Sequence, residues 1–217
     1  MSQITLIRHG QANSNARDEA SYDRLSALGR QQSEWLGDYL KGSAAWQGRL
    51  FCGTLHRHVE TAAAMAPDRQ PERDARLNEL EYFTLAELLR DQQGIAIPDN
   101  REDFAHHLPR VFGAWQRGEI SNPPESFKDF EARVNSVLSE IASGDGPALV
   151  VTSGGLISMV MRAQLGLDTT NMARIALAIM NTSLHRLFPI GGHLSPVLFN
   201  AVPHLEHPDR HFAQTHL

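Results

Sequence analysis

The chain has 217 residues, of which 41% are hydrophobic, and it carries a formal net charge of -5 with a pI near 6.1. Such a length and apolar content allow one large core, so we expect a single domain over residues 1–217. The negative charge excludes a global attraction to nucleic acid or to an anionic membrane. Cys52 is the only cysteine, which excludes an internal disulfide. With no signal-peptide pattern and no apolar stretch of about 18 residues, the sequence predicts a soluble, cytoplasmic protein.

The first part of the chain predicts alternating strands and helices. The predicted elements are a strand over 3–8, a polar loop over 11–24, a helix over 26–41, a strand over 49–53 and a helix over 54–65. Ser26 and Thr54 are the expected N-caps of the two helices, because their side-chain oxygens can accept from free backbone N–H groups. This repeat predicts an α/β fold with three layers, αβα, in which helices cover both faces of a mainly parallel central sheet.

The middle of the chain, residues 82–124, differs in character. Thr84 and Glu87 have the spacing of a capping box at a helix start. A turn-rich stretch over 91–102 leads to a further predicted helix over 104–117. We expect residues 82–124 to be a mostly helical insertion over the carboxyl edge of the sheet, because inserted segments commonly supply specificity on such folds.

The last part of the chain predicts a second helix and strand series with an antiparallel end. The predicted elements are a helix over 126–142 that starts at Ser126, a strand over 147–152, a helix over 154–165 and strands over 183–188 and 196–200. Gly191-Gly192 separates the last two strands, which indicates an antiparallel edge of the sheet. Residues 204–217 contain four histidines without regular ligand spacing, so we expect a solvated tail rather than a metal site.

Arg8-His9-Gly10 lies at the end of the first predicted strand, directly after the apolar run Ile4-Thr5-Leu6-Ile7. Ligands of open α/β sheets bind at the carboxyl ends of the strands, so this position favours an active site. A second arginine, Arg57, lies in the helix after the second strand. The simpler alternatives are a strand-end histidine and a helix-surface arginine with no chemical role.

These segments resemble the histidine phosphatase superfamily, also called phosphoglycerate mutase-like, over most of the chain. The matching motifs are Leu6-Ile7-Arg8-His9-Gly10, Asn15, Leu25 to Gly29 with Gln32 beyond, Leu55 to Ala62 around Arg57, and Leu77-Asn78-Glu79. Their order and separations match those of the family, so the resemblance implies a phosphoryl-transfer site centred on His9.

The resemblance implies a role for each motif residue. His9 would attack phosphorus as a neutral imidazole and form a phosphohistidine, which water then hydrolyses. Phosphate oxygens would be held by Arg8, Arg57, Asn15 and Ser153. Glu79 would protonate the leaving alkoxide and then activate water, with Glu81 as the alternative. Neither a metal nor a cofactor is implied.

One motif departs from the family pattern. Family members usually carry a second histidine in a turn that reads apolar-x-His-Gly-Gly, and Ser153 stands at that place in Val151-Thr152-Ser153-Gly154-Gly155. A serine hydroxyl donates a hydrogen bond but supplies no positive charge. Three alternatives follow: a slower or retuned phosphatase, a phosphate-binding protein with little turnover, or a site into which His56 or His58 has moved. The last fits least well, because helix neighbours of Arg57 point about 100° away from it.

The sequence therefore predicts a metal-independent phosphoric monoester hydrolase that acts through phospho-His9 on a small phosphorylated substrate. A phosphoprotein substrate and a non-catalytic phosphate-binding role are alternatives. A phosphoglycerate-type mutase fits less well, because Glu79 leads into Leu80-Glu81-Tyr82-Phe83 rather than a Tyr-Gly-Gly-like run. Candidate pocket residues in the insertion are Tyr82, Phe83, Arg90, Arg110 and Trp115. His106 and His107 are expected to be exposed, and the substrate and oligomeric state stay open.

Overall fold

The computed structural model describes residues 1–13, 16 and 18–216, with only the main chain of Ala44. The strands are β1 (Ile4–Arg8), β2 (Arg49–Cys52), β3 (Glu72–Arg73), β4 (Ala148–Thr152), β5 (Leu184–Ile190) and β6 (His193–Ala201). The α-helices are α1 (Glu19–Tyr22), α2 (Ala27–Leu40), α3 (His56–Met65), α4 (Tyr82–Gln93), α5 (Arg101–Gln116), α6 (Phe127–Ser143), α7 (Gly154–Leu165) and α8 (Thr169–Ala178). Short 3₁₀ segments are Ala44–Gln47, Ala75–Leu77, Pro203–Leu205 and Pro208–Ala213.

The strands form one six-stranded sheet in the order β3-β2-β4-β1-β5-β6. The pairs β2–β3, β2–β4 and β1–β4 are parallel, whereas β5 runs antiparallel to both β1 and β6. The predicted α/β class, with a mainly parallel sheet and an antiparallel edge, is thereby confirmed.

The central strands β1 and β4 are buried along their whole length, which explains their nearly continuous apolar sequences. Alternate side chains of these strands enter separate cores. Ile4 and Leu6 join the core on the face covered by α6 and α7, whereas Ile7 joins the core covered by α2 and α3. Because successive side chains of a strand point to opposite faces, this division gives the three layers of the fold.

Two of the predicted helix starts are confirmed. The hydroxyl of Ser26 accepts from the N–H of Gly29 at the start of α2, and that of Ser126 accepts from Asp129 at the start of α6. Each bond satisfies a backbone donor that has no partner within its own helix.

The predicted cap at Thr54 is wrong, because α3 begins at His56 and no side chain of its own N-cap residue bonds the first turn. Thr54 is instead paired with the side-chain amide of Asn78, through its N–H at 2.7 Å and its hydroxyl at 2.7 Å. The first N–H groups of α3 donate to Asp23 of the preceding polar loop. A tertiary contact thus replaces the local one.

The capping box at Thr84 and Glu87 is also wrong, since α4 already begins at Tyr82. The hydroxyl of Thr84 donates to the carboxylate of Glu81 at 3.0 Å. The turn-rich stretch predicted over 91–102 is shorter than expected, because α4 continues to Gln93 and α5 starts at Arg101.

The C-terminal segment is not the solvated tail that its composition suggested. His204, Leu205 and Ala213 are buried, and the segment packs against Leu28 and Trp35 on the outer side of α2. The outer side of α2 carries apolar groups of its own, and covering them removes apolar surface from water.

Among the described residues, no helix has both the length and the apolar character needed to cross a bilayer.

Candidate active site

The carboxyl ends of β1 and β4 meet at one edge of the sheet. Arg8 pairs with Thr152 in the parallel register, and the N–H of His9 donates to the carbonyl of Thr152 at 2.9 Å. His9 and Ser153 therefore leave adjacent parallel strands at equivalent positions, and their side chains point to the same face. That face is the one covered by α3.

His9 is 1% exposed, and its ring is held in one orientation. Its Nδ1 lies 2.7 Å from the carbonyl oxygen of Gly10, a partner that can only accept, so Nδ1 carries the proton and Nε2 keeps its lone pair. Burial, together with the charges of Arg57 and Arg8, holds the pKa of His9 well below its usual range. The imidazole is thus neutral at pH 7, the form that acts as a nucleophile.

Two buried guanidinium groups lie beside His9. Arg8 donates through Nη1 to the carbonyl of Ile179, and Arg57 donates through Nη1 to Asp23 at 3.1 Å. The guanidinium of Arg57 also lies over the ring of Tyr22, 5.0 Å from its centroid. Within the described part of the chain, the Nε atoms of both arginines have no hydrogen-bond partner. Buried cationic donors without partners are suited to binding an anion.

Glu79 reaches the same site from the segment after Ala75–Leu77. Its Oε2 accepts from the N–H of Gly155 at 2.8 Å, in the first turn of α7. A Cβ atom at Gly155 would lie only 2.3 Å from Oε1 of Glu79, so a glycine is needed for this approach. Glu81 is exposed and bonds Thr84 on the surface. Of the two candidate carboxyl groups, Glu79 is the one that lines the same cavity as His9.

His9 and Glu79 open into a cavity of about 420 Å³. Its floor includes Arg8, Arg57, Gly154 and Gly155. Its aromatic walls are Tyr22, Tyr82, Phe83, Phe104 and Phe112. Helices α4 and α5, which make up most of residues 82–124, supply most of this wall. The cavity thus joins a charged floor to a mainly apolar wall.

The candidate pocket residues of the middle segment divide into two groups. Tyr82 and Phe83 line the cavity, as predicted. Arg90 and Arg110 are exposed, and Trp115 packs in the core beside Phe127, so these three do not line it. Their helix faces point away from His9, which the sequence alone did not reveal.

The two neighbouring histidines of α5 differ in their surroundings. His106 is exposed, as expected, but His107 is buried with its Nδ1 3.0 Å from the hydroxyl of Tyr82. The prediction of exposure for His107 is therefore wrong, because its side of α5 packs against α4.

The sequence pattern of the histidine phosphatase superfamily (branch 1) matches residues 4–202. The chain belongs to this superfamily. One relative, the 2,3-bisphosphoglycerate-dependent phosphoglycerate mutase of Rhizobium etli, is 31% identical over 172 residues, which span 72% of this chain and 77% of the mutase.

Solved structures of similar fold include phosphatases. A phosphoserine phosphatase mutant from Entamoeba histolytica, in complex with phosphoserine, has a TM-score of 0.70 at 18% identity and covers 94% of this chain and 100% of its own. A mycobacterial glucosyl-3-phosphoglycerate phosphatase in complex with VO3 has a TM-score of 0.64 at 25% identity and covers 93% and 100%. The superfamily match, the mutase relative and the glucosyl-3-phosphoglycerate phosphatase together support a phosphoryl-transfer enzyme.

Most of the predicted site residues can be located in the structure. His9, Arg8, Arg57 and Glu79 come together at the cavity, and Ser153 is fully buried at the start of α7. Asn15 lies outside the described residues.

Sequence reasoning missed Glu19 as a residue of this superfamily site. Glu19 lines the cavity, and its Oε1 accepts from the N–H of Phe83 at 2.9 Å. Burial, with the charges of Glu79 and Glu81 adding to it, raises the pKa of Glu19 to about 7. No sequence signal marked it, because the polar stretch 11–24 was predicted to be a loop throughout, whereas the structure has the short helix α1 at Glu19–Tyr22. Glu19 owes its burial to Phe83 and its neighbours.

His58 lies in the site, although the sequence analysis ranked its presence there as the alternative that fits least well. Its ring is fully buried, and Nε2 lies 2.6 Å from the hydroxyl oxygen of Ser153. Arg57 and His58 do point in different directions from α3, but residues of the site lie on both of these sides of the helix start. Arg57 therefore faces Asp23 while His58 faces Ser153, and both are near His9. His56 is exposed.

Proposed function

We propose that the chain is a phosphoric monoester hydrolase that forms a phosphohistidine on His9 without a metal ion. The observation that carries the proposal is a neutral, buried imidazole, whose Nε2 keeps its lone pair, beside two buried guanidinium groups. Transferring a phosphoryl group spreads negative charge over three oxygens, and fixed cationic donors stabilise that charge.

The first step transfers the phosphoryl group to the enzyme. A bond forms between Nε2 of His9 and phosphorus while the bond from phosphorus to the leaving oxygen breaks. The protonated carboxyl of Glu79 gives its proton to that oxygen, so an alcohol rather than an alkoxide departs. Arg8 and Arg57 hold the phosphoryl oxygens throughout.

The second step restores the enzyme. The carboxylate of Glu79 takes a proton from a water molecule whose oxygen attacks phosphorus. The bond between phosphorus and Nε2 of His9 then breaks, which releases inorganic phosphate and returns a neutral imidazole. Both steps use the same carboxyl group, so Glu79 ends the cycle protonated, as it began.

We propose a small phosphorylated molecule as the substrate, with residues 82–124 acting as the cap that contacts its leaving group. The wall formed by Tyr82, Phe83 and Phe104 favours a leaving group with an apolar or planar surface, because burying such a surface is favourable. A mutase must bind a second phosphate. Besides Arg8 and Arg57, the described cavity lining includes the cation Arg101, whose Nη2 already donates to the carbonyl of His216 at 3.3 Å.

The experiment is the hydrolysis of an activated aryl phosphate with EDTA present, over pH 4 to 8. Wild type is compared with His9→Ala and with the control His106→Ala, which removes an exposed histidine. We expect His9→Ala to abolish turnover and His106→Ala to retain it. We also expect a phosphoryl label on wild-type protein that is stable to base and labile to acid. Equal turnover by wild type and His9→Ala would contradict the proposal.

A phosphate-binding protein with little turnover is the second candidate. It is favoured by Ser153, whose hydroxyl adds no positive charge to the anion site. If wild type binds inorganic phosphate but does not hydrolyse the aryl phosphate, this second function replaces the first.

A further inference from the structure

His58 is a buried imidazole that the mechanism above leaves without a task. Its ring centroid lies 5.7 Å from that of His9, and its Nε2 lies 2.6 Å from the hydroxyl oxygen of Ser153. Its Nδ1 is buried and has no hydrogen-bond partner among the described residues. A buried polar atom without a partner costs free energy, so a purely structural role favours an apolar side chain here.

The chain makes room for this ring. A Cβ atom at Gly53 would lie 2.2 Å from Nδ1 of His58 and 2.7 Å from the side-chain oxygen of Asn78. Any larger residue at position 53 would displace the imidazole. On the opposite side of the ring, the small side chain of Ser153 leaves space for Nε2. The three residues therefore fit one another as a unit.

The protons of this pair can be assigned from its surroundings. Burial and the charge of Arg57 hold the pKa of His58 well below its usual range, so the ring is neutral. Because Nδ1 has no hydrogen-bond partner among the described residues, and a buried N–H without an acceptor is rarer than a buried acceptor without a donor, we assign the proton to Nε2. Nε2 then donates to the hydroxyl oxygen of Ser153. The hydroxyl proton of Ser153 is then free to be donated elsewhere. That hydroxyl makes no cap hydrogen bond within α7.

Ser153 lies next to the phosphoryl site, fully buried directly beneath the residues that line the cavity floor. Ser153 and His9 leave adjacent parallel strands on the same face of the sheet. Ser153 is also the N-cap residue of α7, a helix of twelve residues whose first N–H groups favour negative charge. Gly154 and Gly155, the next two residues, line the cavity floor.

We propose that His58 is a positioning residue that holds the hydroxyl of Ser153, so that Ser153 donates a hydrogen bond to an oxygen of the phosphoryl group on His9. The pair would thereby take over the task that the sequence resemblance assigns to a histidine at position 153. This inference rests on the proposed function, because it concerns the same site.

The test is a double-mutant cycle with His58→Ala, Ser153→Ala and the double variant, measured with the activated aryl phosphate. We expect each single variant to lower kcat by about tenfold or more, with a smaller change in KM. The double variant should be no slower than Ser153→Ala, because His58 acts through that hydroxyl. His58→Gln, whose amide can donate to Ser153, should recover part of the rate.

His185→Ala is the matched control, since His185 is also fully buried and lies 2.8 Å from a serine hydroxyl, that of Ser183, outside the cavity. This control shows how much stability and activity change when a buried imidazole is removed elsewhere in the fold. We expect it to lower stability without the selective loss of kcat. Independent, multiplicative effects of His58→Ala and Ser153→Ala would overturn the inference, and so would a His58→Ala variant with unchanged kcat.

A swap of the two side chains gives a second test. Ser153→His places a second ring where Nε2 of His58 already lies, so we expect lower activity and lower stability than wild type. The double variant His58→Ala/Ser153→His has room for the new ring and should be more active than Ser153→His. A double variant that is no better than Ser153→His would count against the idea that the two positions share one task.

Binding of orthovanadate, measured by calorimetry on the same variants, separates this inference from the proposed function. If the wild-type protein does not hydrolyse the aryl phosphate, the hydrolase proposal is wrong. Even then, His58→Ala and Ser153→Ala should weaken vanadate binding together and without additivity if the pair forms one hydrogen-bonding unit. Unchanged vanadate affinity in both variants would overturn the inference by itself.

Discussion

Asp23 holds Arg57 by its main chain and its side chain at once. One carboxylate oxygen accepts from the N–H and from Nη1 of Arg57, each at 3.1 Å, and the other accepts from the N–H of His56 at 2.9 Å. The same carboxylate therefore stabilises the start of α3 and orients the guanidinium toward the cavity. A loop residue outside the family motifs thus determines where a motif arginine lies.

Asp23→Ala should lower both stability and activity. Losing the contacts to the first turn of α3 and the half of an ion pair whose arginine is 2% exposed should cost about 1–3 kcal/mol of unfolding free energy. We expect kcat/KM for the aryl phosphate to fall by about tenfold or more, since Arg57 loses its orientation. Denaturant unfolding and steady-state kinetics measure the two effects. Asp38→Ala removes an exposed partner of Lys41 and should change neither by much.

Glu79→Gln should slow hydrolysis most when the leaving group is poor. A phenolate with a strong electron-withdrawing substituent departs without a proton, whereas an alkyl alkoxide needs one. We expect the rate of phosphoenzyme formation, followed as alcohol release in a single turnover, to fall little with the activated aryl phosphate and by about a hundredfold or more with an alkyl phosphate. Glu81→Gln, at an exposed carboxylate, is the control. The same loss for both substrates would argue against proton donation by Glu79.

Glu19→Gln should alter how stability depends on pH. The carboxyl of Glu19 has a pKa of about 7 in the folded protein against an ordinary value of 4.5, so the folded state binds its proton more tightly than the unfolded state does. Its favourable contribution is complete below pH 4.5 and is lost as the pH rises to about 7. Glutamine keeps an oxygen that can accept from Phe83 and does not ionise.

We therefore expect the stability of Glu19→Gln, relative to wild type, to increase between pH 5 and pH 8. Urea unfolding at the two pH values measures this difference. Glu87→Gln, at an exposed position of α4, should show no such trend. A constant difference between Glu19→Gln and wild type across this range would refute the assignment.

Leu205→Ala should destabilise the protein strongly, although it lies outside the sheet. Leu205 is fully buried where the C-terminal segment meets Leu28 and Trp35 of α2. Truncation of a buried leucine costs about 2–5 kcal/mol of unfolding free energy. Phe212→Ala, in the same segment but 68% exposed, should cost far less. Similar losses for both, measured by denaturant unfolding, would mean that this segment does not pack as described.

The sequence was sufficient for features that depend on local patterns. Apolar runs placed β1 and β4 correctly, and Ser26 and Ser126 marked two helix starts. Thr54 had the same local chemistry but was already paired with Asn78, which lies 24 positions away in the chain. Helix α8 was not predicted, because two of its buried residues are alanines that produce a weak apolar stripe.

The catalytic motif could be predicted, but the residues that adjust it could not. His9, Arg57 and Glu79 occur in recognisable motifs, and the fold brings them to one cavity. Glu19 acquires its high pKa only when Phe83 and its neighbours cover it. The spacing of Arg57 and His58 on a helix indicated that His58 points away from the site. This spacing describes α3 alone and omits the other segments that pack around the start of this helix.

The close packing of Gly53, His58 and Ser153 has a consequence for how such sites vary among sequences. Because the imidazole is 2.2 Å from the Cβ position of residue 53, and its Nε2 is 2.6 Å from Oγ of residue 153, these three positions cannot change independently. A chain with histidine at position 153 should carry a small residue at position 58, which removes the constraint on position 53. We therefore expect glycine, histidine and serine at these three positions to occur together in chains that share this arrangement.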